Sequence, residues 1–541
     1  MELLKQYFND IKQLYDYQKI VIENIKAKNN TLAIIPTGGG KSLIYQLGAL
    51  LLEGTTIVVS PLKALMHEQV NELKDRRINA LSINSDMDFQ TQRDVLRNLC
   101  ELSPKLIYVS PERLNNYFFR SALKFMKSKI SMVVIDEAHC ISQWGFDFRP
   151  DYNKIKPFCE FLKDNGSNPV ILALTATISA QPRKDIIHEF KIAQDNIFIE
   201  NNVIRDNLEL NFQKVEKDAD KLDHIKNFIY SRQLKKVLVY TYSRQKCKEL
   251  SENFDESSYF HAELTPGEKL RTYKGFKEGK IKVLFSTTAF GMGMNIPDID
   301  GVIHYQLPES IEEYYQHVGR GARDKKKCSK CYCLFLWSEK NFEVKADRIR
   351  KNTIKESNID EAFDWINPKR KVISKEMNFE EVMRNDGSWG TNNLRLLIPT
   401  FEKFGVLDML GEVNGRPKSI VFKSNTSFWE NVINSLDGIR NSYTTVEKKL
   451  GYRIQDMIDH IYEQELNGNI KKMPATERLL FLSINHSDLP DGIKQNIIDE
   501  SLRIERNKIA SLDKLRELCD VKDKEKFIAE QLGVPYNKGI V

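Results

Sequence analysis

Residues 31–42 read TLAIIPTGGGKS, an apolar run followed by three glycines, a lysine and a serine. The run predicts a buried strand ending near Pro36, and the following LIYQLGALLLEG predicts a helix. Strand, glycine loop and helix in this order suit a phosphate cradle, because glycines let backbone N–H groups close around phosphates at an electropositive helix N-terminus. Lys41 would neutralise β/γ charge and Ser42 would ligate Mg²⁺. Because Ile35 replaces the first glycine of GxxxxGK[ST], a structural glycine turn is the alternative.

A second pattern lies downstream, where the apolar run SMVVI leads directly into Asp136-Glu137-Ala138-His139. Acids at the end of a buried strand are costly unless they meet a cation. We expect Asp136 to hold the magnesium ion and Glu137 to orient and deprotonate the water that attacks the γ-phosphate. A pair of solvated acids at a helix cap is the alternative. Together with the glycine loop, the acids predict an NTP hydrolase.

Two stretches alternate short apolar runs with helical patterns, which is typical of βαβ units and parallel sheets. The first contains TLAIIP, TIVVSP, KLIYVSP, MVVIDEA and VILALTAT, and the second LELNFQKV, KKVLVYT, SSYFHA, IKVLFST, GVIHYQL and YCLFLW. They predict two tandem α/β domains at residues 1–200 and 201–345. Residues 346–541 predict a mainly helical accessory region. A winged helix is a hypothesis for residues 376–423, where SIVFK predicts a short strand.

Composition allows a multi-domain protein and excludes a largely disordered one. The 541 residues carry a net charge of +6, with 41% hydrophobic and 29% charged residues, close to the globular average. No apolar run approaches the roughly 18 residues needed to span a bilayer, and the N-terminus lacks the apolar core of a secretory signal. We therefore expect a cytoplasmic protein without membrane contact, in which the 8 cysteines are free thiols or metal ligands.

A third pattern, QHVGRGARD, covers residues 316–324 after a helical segment that begins near Glu309. If the helix continues, Arg320 and Arg323 share one face and could reach a γ-phosphate across a cleft. A solvated basic helix end is the alternative. The run ALTAT places Thr175 and Thr177 where a strand meets that cleft, and their hydroxyls could bridge the hydrolysis site to neighbouring loops.

Seven motifs in order resemble the RecQ DNA helicases of superfamily 2: TGGGKS, VVSPLKALMHEQV, YVSPERL, DEAHCISQWGFDFRPDY, ALTAT, AFGMGMNIP and QHVGRGARD. The resemblance covers about the first 340 residues. It implies two RecA-like P-loop domains with ATP and Mg²⁺ between them, a catalytic set of Lys41, Asp136, Glu137, Arg320 and Arg323, and 3′ to 5′ movement with duplex unwinding. In that family the aromatic-rich loop after the DEAH box couples single-stranded DNA to ATP hydrolysis. Its aromatic rings also suit base stacking, a buried aromatic cluster being the alternative.

The resemblance implies roles for further residues. Gln18 matches a glutamine that reads adenine, whereas the arginine expected three residues earlier is Tyr15, which we expect to stack on the base. The predicted nucleotide-binding residues are Gln18, Thr37, Gly38, Gly39, Gly40, Lys41, Ser42 and Gln316, with Ser42 and Asp136 holding magnesium. The predicted DNA contacts are Ser60, Lys63, Ser110, Arg113, Gln143, Trp144, Phe148 and Arg149. For the first four, solvated loop positions are the alternative.

The chain also departs from the family pattern. Phe146 stands where a histidine is usual, and GRGARD replaces the usual GRAGRD. The four-cysteine zinc module expected after the motor is missing, since only Cys519 follows Cys333. Cys328 and Cys331 complete a CxxCxC pattern that lacks a fourth donor, so we expect no zinc.

Two other functions remain open at this stage. One is an RNA-directed helicase of the same superfamily, against which the aromatic-rich loop argues. The other is a DNA-binding scaffold subunit that uses the motor as a nucleotide switch, against which the intact Lys41, Glu137 and Arg323 argue. The predicted partners are single-stranded DNA and duplex junctions. The sequence identifies neither protein partners nor the pathway, whether repair, recombination or defence.

Overall fold

The computed structural model describes residues 2–61, 63–84, 87, 89–141, 150–176, 180–200, 204–290, 296–378, 393–414, 420–422, 443–472 and 478–536. Within these residues the chain forms two parallel sheets in tandem, followed by a region of helices and antiparallel strands. None of the helices described has the length and apolar character needed to cross a bilayer.

The first sheet has seven parallel strands in the order β3-β4-β2-β5-β6-β1-β7. Its strands are β1 (Thr31–Ile34), β2 (Thr55–Val59), β3 (Ala80–Ile83), β4 (Leu106–Val109), β5 (Ile130–Ile135), β6 (Val170–Thr175) and β7 (Ile197–Ile199). Its helices are α1 (Glu2–Tyr7), α2 (Asp16–Lys26), α3 (Lys41–Leu51), α4 (Lys63–Asp75), α5 (Phe89–Leu102), α6 (Tyr117–Phe125), α7 (Ile155–Asp164) and α8 (Ala180–Glu189). The five predicted strands are confirmed as β1, β2, β4, β5 and β6.

The second sheet has six parallel strands in the order β10-β11-β9-β12-β13-β8. Its strands are β8 (Leu208–Lys214), β9 (Val237–Tyr240), β10 (Ser257–Phe260), β11 (Val283–Ser286), β12 (Gly301–His304) and β13 (Cys331–Trp337). Its helices are α9 (Lys221–Ser231), α10 (Arg244–Ser251), α11 (Pro266–Lys277), α12 (Ile311–Val318) and α13 (Glu339–Lys351). All six predicted strands are confirmed.

Alternation along the strands explains why both sheets are covered on both faces. Leu32 and Ile34 of β1 belong to one hydrophobic core, while Ala33 and Ile35 belong to another on the opposite face. Successive side chains of a strand point to opposite faces, so an uninterrupted apolar run needs helices on both sides. Ligands of α/β sheets bind at the carboxyl ends of the strands.

The C-terminal region is helical, as predicted, but it also contains strands that the sequence patterns did not show. Antiparallel strands form the sheet β14-β18-β15 and the pair β16-β17. Its elements are α14 (Glu356–Ile366), β14 (Ile373–Asn378), α15 (Asn393–Lys403), β15 (Leu407–Asn414), β16 (Ile420–Phe422), α16 (Tyr443–Leu450), α17 (Ile454–Leu466), β17 (Ile470–Lys472), β18 (Arg478–Ile484), α18 (Asp491–Asp520) and α19 (Lys524–Leu532). The SIVFK strand is confirmed as β16. The winged helix stays a hypothesis, since residues 379–392 and 415–419 lie outside the described residues.

This region packs against both sheets. Val413, Ile461 and Phe481 share a core with the first sheet, whereas Leu515 and Leu518 of α18 share a core with the second. Burial of apolar surface contributes about 25 cal/mol per Å², so these shared cores fix the region on both domains. The predicted domain boundaries at 200 and 345 stay predictions.

Candidate nucleotide site between the two sheets

The glycine loop lies at the carboxyl end of β1, and α3 begins directly after it. Gly38 and Gly40 have φ angles of 82° and 74°, in the left-handed region that favours glycine. A Cβ on Gly39 would lie 2.6 Å from the Cγ2 atom of Ile35, and one on Gly40 would lie 2.5 Å from the Nε2 atom of Gln18. Backbone conformation and close approach therefore both require glycine here.

The start of α2 braces this loop. The Tyr17 hydroxyl donates to the Gly39 carbonyl at 2.8 Å, and the Gln18 amide donates to the same oxygen at 3.2 Å. The Gln18 side-chain oxygen accepts from the backbone N–H of Tyr15 at 3.0 Å. The Tyr15 ring stacks on Tyr17 with centroids 5.4 Å apart, and the Tyr15 side chain is exposed. Gln18 thus contacts the glycine loop, and its contact with adenine, like that of Tyr15, stays a prediction.

The two acids follow β5, as predicted. The Ser60 hydroxyl donates to the Asp136 carboxylate at 3.2 Å, and Glu137 has a φ angle of 49°. Burial, and then the Glu137 carboxylate, raises the pKa of Asp136. Burial also opposes ionisation of Glu137, but nearby positive charge lowers its pKa overall; the groups responsible are Lys41, His139, Arg320 and Arg323. Glu137 is therefore held ionised by cations from both sheets.

A buried hydroxyl links these acids to β6. Thr175 Oγ1 lies 3.0 Å from His139 Nδ1, and the same ring nitrogen lies 3.5 Å from Glu137 Oε2. The Tyr152 hydroxyl donates to the Asp136 carbonyl at 2.8 Å. Thr175 thus contacts the residue beside Glu137, its role as a bridge from the hydrolysis site stays a prediction, and Thr177 lies outside the described residues.

The arginine motif is not a helix face, because α12 ends at Val318. Arg320 and Arg323 instead lie in the turn that follows, where Ala322 has a φ angle of 41°. The expectation that a continuing helix aligns the two arginines is therefore wrong; this turn, hereafter the arginine loop (residues 319–323), places them. The Gly319 carbonyl accepts a hydrogen bond from the Thr37 hydroxyl at 3.0 Å, which brings the arginine loop against the glycine loop.

Positive charge is concentrated at this contact. Carbons of the Arg323 side chain lie 4.0 Å from where a Cβ on Gly38 would stand. Burial, and then the neighbouring Arg320 and Arg205 guanidinium groups, lowers the pKa of Arg323. Positive charges that lie close together in a buried site favour the binding of an anion. The phosphates of a nucleotide would supply the negative charge.

The helix that leads into the arginine loop packs against aromatic rings, which the sequence motifs do not indicate. Tyr240 of β9 stacks on His317 with ring centroids 3.8 Å apart and an interplanar angle of 11°. His304 Nε2 lies 3.1 Å from His317 Nδ1. Tyr240 also interacts with Arg320 through its hydroxyl. Gln316, one residue before His317, is buried, and its predicted contact with nucleotide stays untested.

Three of the residues predicted to contact DNA have described side chains, and none of these three lies on an open surface. Ser60 is engaged with Asp136, and Ser110 and Arg113 are buried, with 1% and 2% exposure. Arg113 forms an ion pair with Glu412 of β15 at 3.5 Å, because the C-terminal region covers this segment. The Lys63 side chain and the predicted contacts Gln143, Trp144, Phe148 and Arg149 lie outside the described residues.

The cysteine pattern is largely interior. Cys331 and Cys333 are buried on β13 with their sulfur atoms 4.0 Å apart, and the Cys328 thiol contacts the Lys330 carbonyl at 3.1 Å. Among the described residues, no cluster of three or more His, Cys, Asp or Glu side chains could hold a metal ion. The expectation about zinc stays a prediction.

Solved structures with a similar fold include helicases. The DUF1998 helicase MrfA bound to DNA and AMPPNP superposes with a TM-score of 0.52 at 17% identity, over 65% of this chain and 52% of that chain. Dbp5 of S. cerevisiae bound to RNA and ADP BeF3 gives a TM-score of 0.53 at 19% identity, over 65% of this chain and 92% of that chain. These likenesses show the fold, two RecA-like domains in tandem.

Sequence comparison is more specific. Residues 15–186 match the DEAD/DEAH box helicase model, and residues 220–325 match the helicase conserved C-terminal domain. The ATP-dependent DNA helicase RecQ of Bacillus subtilis (strain 168) is 37% identical over 62% of this chain and 55% of its own length. The probable ATP-dependent DNA helicase RecS of the same organism is 35% identical over 62% of this chain and 66% of its own length. The chain thus spans about half to two thirds of these relatives. The chain therefore contains a DEAD/DEAH box helicase domain and a helicase conserved C-terminal domain, and over 62% of its length it is similar to RecQ-family DNA helicases.

Proposed function

We propose that the chain is an ATP-dependent DNA helicase or translocase of the RecQ type, which hydrolyses ATP between its two RecA-like domains. The observation that carries the proposal is the contact across the cleft, where Thr37 donates to the Gly319 carbonyl at 3.0 Å. Lys41 and both arginines act on the buried Glu137 from opposite sides of this contact. A phosphate cradle, a carboxylate and two guanidinium groups therefore meet at one place.

The residues present fit a magnesium–nucleotide complex. Among the described residues, Glu137 Oε2 and Arg320 Nε are buried atoms without a hydrogen-bond partner, so both keep capacity for a ligand. Asp136 and Ser42 carry the oxygen ligands that Mg²⁺ prefers. The bound ion would neutralise phosphate charge and act as a Lewis acid.

The protein's own groups account for the rest of the chemistry. The lowered pKa of Glu137, which the surrounding cations produce against the effect of burial, keeps its carboxylate ready to accept a proton from the attacking water. Arg320 and Arg323 would stabilise the charge that develops on the γ-phosphate, as arginine fingers do. Their fixed positions avoid reorganisation during the reaction.

The Tyr152 side chain connects the element that follows the predicted DNA-contacting segment to the backbone of Asp136. Residues 143–149 directly precede the 3-10 helix Pro150–Lys154, whose Tyr152 donates to the Asp136 carbonyl at 2.8 Å. A displacement of this segment by DNA would therefore reach the hydrolysis site through Tyr152. Opening and closing of the cleft would then drive steps along one strand. The 3′ to 5′ direction and duplex unwinding rest on the resemblance to RecQ helicases.

A strand-displacement assay on forked, 3′-tailed and 5′-tailed DNA duplexes tests the proposal, with ATP turnover measured in parallel on single-stranded DNA and RNA. We expect ATP-dependent displacement of the forked and 3′-tailed substrates only, and stimulation by DNA. Stronger stimulation by RNA would replace DNA with RNA as the track. DNA-stimulated ATP turnover without strand displacement would mean that the protein is a translocase and not a helicase. ATP turnover unaffected by Glu137→Gln would overturn the proposed hydrolysis site.

A further inference from the structure

The segment that joins the two sheets places a guanidinium group on the backbone of the arginine loop. Arg205 donates through Nη1 to the Gly319 carbonyl at 3.0 Å and through Nη2 to the Ala322 carbonyl. The Gly319 carbonyl directly precedes Arg320, and the Ala322 carbonyl directly precedes Arg323. A planar guanidinium holding two acceptors fixes their separation as well as their positions, which a lysine cannot do.

Asn207, two residues further, completes this clamp. Its amide donates to the Ala322 carbonyl at 3.0 Å, and its side-chain oxygen accepts from Arg205 Nε at 3.2 Å. The backbone N–H of Arg205 donates to the hydroxyl of Tyr315 on α12 at 2.8 Å. The clamp, Arg205 with Asn207, is therefore held by the same helix that leads into the arginine loop.

The loop needs such support because its backbone is strained. Ala322 has a φ angle of 41°, and for a residue other than glycine this conformation costs of order 1 kcal/mol or more. Gly321 must remain small, since a Cβ there would lie 2.1 Å from the Cys331 sulfur. Glycine therefore occupies position 321, and the strained position 322 carries alanine. Strain of this kind persists only where the surrounding contacts hold it.

We propose that Arg205 and Asn207 are positioning residues for ATP hydrolysis, which hold the arginine loop in the strained conformation that aims Arg320 and Arg323 at the cleft. The inference rests on the roles proposed above for the two arginines. The Gly319 carbonyl that Arg205 holds also accepts from Thr37, so the clamp sets the position of the arginine loop against the glycine loop.

The test compares steady-state ATP hydrolysis by the full chain on saturating single-stranded DNA. We expect Arg205→Ala to lower kcat at least about tenfold while the KM for ATP changes less than about threefold, because the loss acts on transition-state charge. Arg205→Lys keeps the positive charge but lacks the two-pronged guanidinium group. Its kcat should therefore lie between those of the parent protein and of Arg205→Ala. Asp206→Ala is the matched control: Asp206 is the intervening residue and pairs with Lys325 in solvent.

A rescue variant separates positioning from a general structural role. Ala322→Gly removes the strain at that residue, so the double variant Arg205→Ala/Ala322→Gly should have a kcat at least about threefold above that of Arg205→Ala. A kcat for Arg205→Ala within twofold of the parent, or the absence of rescue, would overturn the inference. If Arg205→Ala does not fold, Arg205→Lys and Asn207→Ala are judged by the same criteria. Arg323→Ala in the same series distinguishes the two proposals, because normal turnover by that variant would instead refute the arginine role itself.

Discussion

The Thr37 hydroxyl and the Gly319 carbonyl, 282 residues apart in the chain, form a hydrogen bond of 3.0 Å across the cleft. Arg205 donates to the same oxygen, also at 3.0 Å. A carbonyl oxygen has two lone pairs. Thr37 of the first domain uses one of them, and Arg205 of the segment between the domains uses the other. The position of the arginine loop therefore depends on the first domain and on the segment that joins the two domains.

Removal of the Thr175 hydroxyl should uncouple His139 from β6. Thr175→Val keeps the side-chain shape but leaves His139 Nδ1 without the oxygen that lies 3.0 Å away. Loss of one partner of a buried hydrogen bond costs about 1–3 kcal/mol, and if that loss falls on the transition state we expect DNA-stimulated kcat to fall about 5- to 160-fold. Thr175→Ser should retain most activity. Equal rates for the Val and Ser variants would show that the hydroxyl has no part in hydrolysis.

Restoring the usual family residue at position 321 should fail in this chain unless a second position changes. Gly321→Ala places a Cβ 2.1 Å from the Cys331 sulfur, so the arginine loop must shift and ATP turnover should fall at least about tenfold. Gly321→Ala combined with Cys331→Gly removes both the sulfur and the Cys331 Cβ, which would lie 2.6 Å from the new methyl group, and should recover part of the loss. Turnover by Gly321→Ala close to that of the parent protein would contradict the packing described here.

The buried carboxylate of Glu412 should stabilise the attachment of the C-terminal region to the first domain. It pairs with Arg113 at 3.5 Å and with Arg478 at 2.7 Å, and its own side chain is only 4% exposed. Taking one carboxylate from such a buried cluster costs about 3–5 kcal/mol, because buried positive charge loses its counter-ion. Chemical denaturation should show this loss for Glu412→Ala.

The control for that experiment is Glu249→Ala, which removes the partner of Lys246 in an exposed pair on α10. Exposed pairs contribute about 0–1 kcal/mol, so this variant should unfold almost like the parent protein. Similar unfolding curves for the Glu412 and Glu249 variants would refute the structural role of Glu412.

Acid should destabilise the second domain through its buried histidines. Burial lowers the pKa of His304 to about 3, and burial followed by the His304 charge lowers that of His317. Below about pH 6.5 the unfolded chain binds protons that the folded protein does not, so the free energy of unfolding falls by up to about 1.4 kcal/mol per pH unit for each histidine. This stability is complete above pH 6.5 and is lost progressively as the pH falls toward 3.

Thermal unfolding of His304→Asn between pH 7.5 and 5 measures this effect. The variant should lose less stability on acidification than the parent protein, because one of the two buried rings is absent. His188→Asn, at an exposed position, should keep the parental pH dependence. A His304→Asn profile parallel to that of the parent would refute the buried neutral pair.

The fold could be predicted from sequence because strands buried on both faces are continuous apolar runs, as in β1 and β5. Strands β3 and β7 are not evident from the sequence pattern, and they lie at the two edges of the sheet. In the C-terminal region, β14 reads ISKEMN, and its charged residues conceal a strand that pairs with β18. Pairing partners more than 100 residues away leave no local pattern.

The site could be predicted only where its residues belong to a local motif. The glycine loop and the acids follow directly on their strands, so sequence order alone brings them to one sheet edge. Arg205 and Tyr240 contact the arginine motif, and Glu412 contacts Arg113, from distant parts of the chain, and nothing in their own neighbourhoods indicates these contacts. The spacing of Arg320 and Arg323 puts them on one face only if the helix continues, and its end at Val318 depends on contacts that the spacing does not reveal.

The central claim, hydrolysis of ATP by groups from both domains, is tested most directly by single-turnover ATP hydrolysis of Arg323→Ala with bound single-stranded DNA. An arginine finger contributes about 10³- to 10⁵-fold, so we predict a loss of at least about 10³-fold with nucleotide affinity changed less than about tenfold, and partial recovery in Arg323→Lys. Lys325→Ala, at an exposed position two residues away, should hydrolyse ATP normally. A rate for Arg323→Ala within twofold of the parent protein would contradict the account.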